Sequence, residues 1–571
     1  MDRVGKARIT MVRKLTGVCL ALLPVLAAAQ SPQRVSVRVD AAARVGAWPP
    51  VFRYFGYDEP NYTYMRHGRK LVGELAAIAG APTYFRTHNL LVTGDGTPAL
   101  KWGSTNAYTE DGSGRPVYDW TIIDRIFDTY LEAGGKPMVE IGFMPKALSI
   151  QPEPYQHSWA PDRQYNQIFT GWAYPPRDYA KWAELVYQWV RHSVERYGRR
   201  EVESWWWELW NEPDIGYWKG TPEEYNKLYD YTADAVKRAL PSARVGGPST
   251  TNPGSPRAAA FLRQFLEHCL NGRNAATGKT GAPLDFISFH AKGSPQVVSG
   301  RIRMGAATEL RHVDAGYQIV ASFPALKRLP VIVSEWDPEG CAACSARIYP
   351  QNGYRNTTLY PSDTAVMLKH SIDLAARRGI QLEGLLTWAF EFEDQPYFDG
   401  FRTLATNGIS KPVMNFFRMA GLLRGSRVRL DSDGALGTDE ILANGVRQRP
   451  DVDGIATASD REAAVMLWNY HDDEAPAPPA LLEVAITGIP AGQSRVLLEH
   501  FRIDEHHSNA YTAWREMGAP QAPSPQQYAR LESAGRLELL ESPRWIPVTK
   551  GGVRLEFSLP RQGLSLLRLS W

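Results

Sequence analysis

Apolar and polar positions change their period along this chain, and the change divides it in two. From about residue 50 to 425, short apolar runs alternate with longer stretches whose apolar residues recur every three or four positions. The runs lie at 52–56, 83–91, 136–143, 203–211, 243–249, 284–290, 330–335 and 384–391. Near-continuous hydrophobicity of that length fits strands buried on both faces. Helical periodicity fills most of the intervals, at 68–79, 121–133, 176–197, 222–240, 257–271, 309–323 and 362–378. Eight strands alternating with helices over roughly 370 residues predict an α/β fold, a (β/α)8 TIM barrel with long loops. A doubly wound sheet is the competing topology, and no Gly-rich phosphate fingerprint supports it.

The helical signal fades after about Leu423. Beyond it come short alternating runs at 463–468, 481–486, 494–498, 553–559 and 564–569, with turn residues between them and a Pro-rich stretch at 475–480. These predict a C-terminal β-sandwich over 426–571. One more alternating run, Arg-Val-Ser-Val-Arg-Val-Asp at 34–40, stands before the barrel. A strand there, within 30–49, can join the sandwich and fold the chain back across the barrel. The chain of 571 residues exceeds the usual size of one domain, in keeping with a barrel at 50–425 and a second unit.

Charge changes the picture at the N-terminus. Arg3, Lys6, Arg8, Arg13 and Lys14 precede an apolar run at 15–26 and then Ala27-Ala28-Ala29. This is the layout of a secretory signal at 1–29, cut before Gln30. An uncleaved anchor is the alternative, but the run is short for a bilayer. The segment carries five basic residues and one acid, so removing it takes the net charge from +3 to −1. No global basic bias then points to nucleic acid, and no later run is long enough to span a membrane. An exported protein, periplasmic or secreted, is expected. Cys19 leaves with the signal, Cys341 and Cys344 are placed to form a small loop disulfide after export, and Cys269 lies in an apolar helical pattern. The 18 Trp and 26 Tyr suit either sugar-stacking surfaces or a large aromatic core.

The chemistry concentrates at two strand ends. Residues 205–214 read Trp-Trp-Trp-Glu-Leu-Trp-Asn-Glu-Pro-Asp. Pro213 disfavours helix at Glu212, so this carboxylate is expected at the end of an extended fourth strand, among aromatic side chains. Poor solvation raises a carboxyl pKa, as a general acid requires. A surface Glu at an ordinary strand end is the bland alternative. The seventh strand ends Ser334-Glu335-Trp336. Strands four and seven face each other across the mouth of a barrel, and active sites sit at the C-terminal strand ends. Two carboxylates there match glycoside hydrolysis; in a retaining enzyme they stand about 5–5.5 Å apart. That mechanism requires no metal or other cofactor.

These motifs together resemble glycoside hydrolase family 39. The resemblance rests on Phe85-Arg86-Thr87-His88, Gly142-Phe143-Met144-Pro145, Trp210-Asn211-Glu212-Pro213, Asp285–Ser288 running into Phe289-His290, and Ser334-Glu335-Trp336. It implies Glu212 as acid/base, Glu335 as nucleophile, Asn211 on the sugar 2-hydroxyl, and His88 and His290 around the sugar ring. The family acts on β-D-xylosides and α-L-iduronides, and several stretches look closer to the iduronidases. Lys292, in His290-Ala-Lys-Gly, matches a lysine that holds the uronate carboxylate. Arg402 resembles its partner arginine, and Asp394 a substrate-binding acid, with Asp399 its rival. Trp336 departs from the iduronidase pattern, whereas Asp337-Pro338 matches it. Each supporting residue has a plainer reading. His88 also reads as a core histidine, Lys292 as a solvated lysine, Arg402 as a structural partner of Asp399 or Glu393, and Trp388 as barrel packing rather than a sugar platform. The expected substrate is a terminal α-L-iduronide or related uronide on an oligosaccharide or polysaccharide. The alternatives are a β-D-xyloside and, in another class, an inactive carbohydrate-binding protein.

Overall fold

The structure is a computed structural model that describes residues 33–571, apart from 79–81, 161–167, 342–343, 389–392, 394 and 401–403. The expected signal at 1–29, Asp394 and Arg402 lie outside the described residues.

Eight parallel strands close a barrel in chain order. They are β1 (Tyr54–Tyr57), β2 (Tyr84–Thr87), β3 (Lys136–Ile141), β4 (Trp206–Leu209), β5 (Arg244–Thr250), β6 (Phe286–Lys292), β7 (Pro330–Asp337) and β8 (Gln381–Trp388). Helices follow the strands, and their ends are written locally. Asp178 accepts from Ala180 N and Lys181 N to start the helix Tyr179–Tyr197. Thr221 and Glu224 form a capping box with Pro222 at the first helical position of Pro222–Ala239. Gly379, at φ 66°, ends the helix Leu359–Arg378 in the left-handed region that glycine favours.

The tryptophan run shows why β4 is hydrophobic on both faces. Trp206 turns into the barrel, where its ring packs against Tyr84 and Phe286. Trp205 and Trp207 turn outward, against Phe127 and Trp189 of the surrounding helices. The strands are shorter than the apolar runs. The fourth run continues to 211, but β4 stops at Leu209 because Trp210 and Glu212 take left-handed backbone, at φ 67° and 43°.

The second domain is one nine-stranded sheet. It is antiparallel except where Gln33–Ala47 runs parallel to Ala480–Thr487. Gln33–Ala47 also pairs antiparallel with Ser426–Ser432, so the start of the described chain lies between two strands from its far end. Val553 and Leu559 from one end of the strand order share a core with Val496 and Ile546 from the other, so the sheet folds over on itself. Three strands escaped the alternation pattern. Asp451–Ala458 buries Asp451 and Asp453, which pair with Trp468 Nε1 at 2.7 Å and Lys369 Nζ at 3.0 Å. Glu538–Pro547 is a largely exposed edge strand, and Ser426–Ser432 is only partly covered. Short helices at Thr438–Asn444, Ala510–Glu516 and Pro525–Ala534 also interrupt a region read as all strand.

The sheet packs on the barrel through Glu462–Tyr470, which is buried on both faces. Ala463, Val465 and Leu467 join the sheet's own core, while Ala464, Met466, Trp468 and Tyr470 join the barrel's. Tyr470 also makes a polar tie, its hydroxyl lying 2.7 Å from Asp363 Oδ1 and 3.0 Å from Asp472 Oδ1. A phenol has one proton to give, so one of these acids keeps its own. Asp472 Oδ2 accepts from Val446 N and Arg447 Nε, whereas Asp363 Oδ2 is buried with no hydrogen-bond donor. Burial pushes Asp363 up to about 7 and Asp472 to about 6, against the Tyr470 hydrogen bond in both. The proton therefore sits on Asp363.

That proton makes a pH prediction. A carboxyl whose folded pKa is raised contributes fully below its unfolded value near 4 and loses that contribution as pH rises through about 7. Thermal midpoints of wild type and Asp363→Asn, measured across that range, should change their difference by a few degrees in the variant's favour as pH rises. A constant difference would place the proton elsewhere.

Candidate active site

The barrel interior is layered by strand alternation. Tyr84, Arg86 and His88 leave one face at and just beyond β2. Tyr84 stacks on Tyr54 in the apolar floor, with ring centroids 4.9 Å apart. One step higher, Arg86 is fully buried and faces three carboxylates: Glu140 at 2.9 Å, Glu208 at 2.5 Å and Glu335 at 3.4 Å. Its remaining donors reach Asn211 Oδ1 and Ser249 Oγ, each at 3.0 Å. Burial works against the Arg86 charge, but Glu208, Glu140 and Glu335 more than restore it. Glu140 goes the other way: burial drives it well above the ordinary carboxyl range and outweighs Arg86, so it is the neutral acid of the layer.

His88 stands above this layer. Burial lowers it to about 4 despite its bond to Asp58, so the ring is neutral near neutral pH. Nδ1 donates to Asp58 Oδ1 at 2.9 Å, and Nε2 accepts from Arg86 Nη1 at 3.1 Å. Asp58 in turn holds Lys101 Nζ at 2.6 Å. The Trp388 ring lies 4.4 Å from His88 and over the Arg86 guanidinium at 5.4 Å, and is 2% exposed. Trp388 is thus a wall behind His88. It is set close against β1, where a Cβ on Gly56 would come within 2.5 Å of its ring.

Glu335 lies within β7. A register shift between Val333 and Glu335 sets Glu335 beside His290 and Asp337 beside Lys292 on β6. Lys292 Nζ lies 2.8 Å from Glu335 Oε2 and 2.6 Å from Asp337 Oδ1. Burial would raise the Glu335 carboxyl, but His290, Lys292 and Arg86 outweigh it and hold it at about 2. Burial raises Asp337 to about 6, against the pull of Lys292.

Glu212 is placed differently from the extended strand end expected of it. It sits three residues beyond β4 in the left-handed region, a conformation costly for a residue with a side chain and frequent at functional sites. Two backbone hydrogen bonds fix it: its N–H donates to Ser249 O at 2.8 Å and its carbonyl accepts from Ile215 N at 3.1 Å. Its carboxylate Oε1 lies 3.0 Å from His290 Nδ1, while His290 Nε2 lies 2.8 Å from Ser249 Oγ. Glu212, His290 and Glu335 each bring one side-chain N or O atom within 4.8 Å of the others. Such a cluster has the size to take a cation, yet it also supplies the close carboxylate spacing of a retaining glycosidase, which needs no metal.

The structure therefore brings together Glu212, Glu335, His88, Asn211, His290, Lys292 and Trp388. The plainer reading of Lys292 as a solvated loop lysine does not hold, since it is buried between two carboxylates. Asp399 is committed to Ser345 Oγ at 2.6 Å and Arg347 Nε at 2.8 Å, as a loop tether. Arg86, Glu140, Glu208, Asp58, Ser249 and Asp337 were given no site role from sequence. Arg86 and His88 two residues apart on a strand, and lone acids inside the apolar β3 and β4, were the available signals.

The Glycosyl hydrolases family 39 profile matches residues 83–549. This chain belongs to that family. Its members are retaining O-glycosyl hydrolases. A β-xylosidase of Caldicellulosiruptor saccharolyticus is 29% identical, over 76% of this chain and 80% of that protein. Mouse α-L-iduronidase is 26% identical, over 97% of this chain and 83% of that one. A crystal structure of a monomeric β-xylosidase from Caulobacter crescentus superposes with a TM-score of 0.71 at 21% identity, covering 94% of this chain and 99% of that one.

Arg86 is the testable centre of this arrangement. Arg86→Met removes a cation from a buried layer of carboxylates, and breaking such a set costs about 3–5 kcal/mol. Urea unfolding should show that loss, and Arg86→Lys should recover only part of it because a lysine lacks the planar fork. Wild-type stability in Arg86→Met would show that the layer rearranges freely.

Proposed function

We propose that Glu212 and Glu335 carry out two-step retaining hydrolysis of a terminal β-D-xyloside. The observation that carries the roles is the contrast between the two carboxylates. Glu335 is buried against cations that keep it anionic, as a nucleophile needs. Glu212 meets His290 at the more open edge of the site, with 17% of its side chain exposed, where it can exchange protons with the leaving oxygen and with water.

In the first step a Glu335 oxygen bonds to the anomeric carbon as the bond to the leaving oxygen breaks, and Glu212 gives that oxygen its proton. In the second, a water gives its proton to Glu212, its oxygen bonds to the anomeric carbon, and the ester bond breaks to return Glu335 as a carboxylate. Asn211, with Oδ1 held by Arg86, is oriented to present its amide N–H groups to the sugar.

Two observations support a xyloside over the uronide expected from motifs. The β-xylosidase of C. saccharolyticus matches at higher identity than the iduronidase does. Lys292, the expected uronate clamp, already has two carboxylate partners. The uronide remains the second reading, favoured by the position of that buried cation beside Glu335 and by the long match to mouse iduronidase. Export is part of the proposal: the basic and apolar segment at 1–29 supports it, and the Cys341–Cys344 disulfide suits an oxidising compartment.

Rates on aryl β-D-xyloside and aryl α-L-iduronide should differ by about tenfold or more in favour of the xyloside, a gap of about 1.4 kcal/mol in transition-state binding. The reverse preference would establish the uronide reading. Glu335→Ala should lose turnover, and added azide should restore release of the aryl group with a glycosyl azide of inverted configuration as product. The low Glu335 pKa sets the acidic limb of the wild-type profile below about pH 4, because activity needs Glu335 ionised and falls as pH drops through its pKa. An acidic limb near pH 6 that persists in Asp337→Asn would assign the nucleophile to another group, since Asp337 itself titrates at about 6.

A further inference from the structure

Two-step hydrolysis uses two carboxylates, yet a third shares a lysine with the nucleophile. Asp337 follows Glu335 by two residues on β7, so both side chains leave the same face of the strand. Because β6 pairs Lys292 opposite Asp337, the ammonium reaches both acids, at 2.8 Å from Glu335 Oε2 and 2.6 Å from Asp337 Oδ1. All three groups are buried. The second Asp337 oxygen accepts the backbone N–H of Trp388 at 3.2 Å, which fixes the carboxylate in place. Arg355 and the buried Glu309 also act on Asp337 electrostatically.

An ammonium shared by two carboxylates has a different effect from one held by a single partner. Paired with Glu335 alone, it would stabilise the free nucleophile and make attack harder. It would then be left as a buried, unpaired cation once Glu335 became a neutral ester, a costly state in a dry site. Sharing removes both problems. Resting on Glu335 as the nucleophile, we propose that Asp337 is a positioning residue that divides the Lys292 charge: it draws the ammonium partly away from Glu335 before attack, and it keeps the ammonium paired while Glu335 carries the sugar. When the ester bond breaks, the negative charge returns to Glu335 and the ammonium is shared again.

The test replaces charge while keeping shape. Asp337→Asn leaves Lys292 to Glu335, so the first step should slow and the second should not. With the better of the aryl xyloside and aryl iduronide, kcat/KM should fall by about tenfold or more. With the dinitrophenyl glycoside of the same sugar, the pre-steady-state burst should shrink or vanish. In a Lys292→Met background there is no charge to divide, so adding Asp337→Asn should cost little further. A merely structural Asp337 predicts the opposite: both steps slowed together, and the same loss with or without Lys292. Either of those results overturns the proposal. Should Asp337→Asn alone fail to fold, the comparison of Lys292→Met with Lys292→Met/Asp337→Asn, both checked by thermal unfolding, decides it. Trapping wild type with the corresponding 2-deoxy-2-fluoro dinitrophenyl glycoside separates the two levels. A label on a residue other than Glu335 defeats the nucleophile assignment. A label on Glu335, with both steps slowed in Asp337→Asn, defeats only the role of Asp337.

Discussion

One buried guanidinium organises the interior of the barrel. Arg86 extends from β2 toward acids on β3, β4 and β7 and toward Asn211 and Ser249 beyond β4 and within β5. Only a planar, permanently charged fork can serve so many partners in one layer. Without it, the carboxylates of that layer would repel one another in a medium that screens poorly. With it, Glu335 stays charged despite its burial, and the side chains above inherit fixed orientations. His88 takes its tautomer from this layer, because Arg86 donates to one ring nitrogen while Asp58 accepts from the other.

Two glutamates of identical chemistry acquire different tasks from where the backbone leaves them. Glu335 lies inside a strand, just after its register shift, and is buried. Glu212 belongs to a strained turn after its strand, and its link to the rest of the site runs through His290. Environments that push two carboxylates apart are how acid and nucleophile are told apart in such sites. Ser249 belongs to this arrangement as well. Its carbonyl holds the Glu212 backbone and its hydroxyl meets both Arg86 and His290, so one small residue links the turn, the charged layer and the imidazole.

The fold was legible in the sequence because strand and helix periods differ, and because β strands buried on both faces leave unbroken apolar runs. The Trp205–Trp207 run is the clearest case, with one ring inside the barrel and two outside. Glu212 and Glu335 were legible because motif and position agree. The backbone at Glu212 was not. Proline at 213 excludes helix before it but does not specify a left-handed turn, which is set by hydrogen bonds to Ser249 and Ile215 from elsewhere in the fold. Glu140 and Glu208 were hidden for a related reason. A single acid in an apolar run carries no sign of the arginine on another strand that makes its burial tolerable. The edge strand Glu538–Pro547 was missed because an exposed strand has no apolar face to alternate.

The position of Gln33–Ala47, between strands formed from residues 426–432 and 480–487, orders events in time. These residues leave the ribosome before the barrel exists, and their partners follow some four hundred residues later. Until then this strand has two unsatisfied edges, open to pairing with another chain. The long-range closure is slow by nature, since a large loop must be drawn together before any contact repays it. The second domain stays open until the last strands arrive, and the finished sheet then joins chain from before the barrel to chain from after it in a single step.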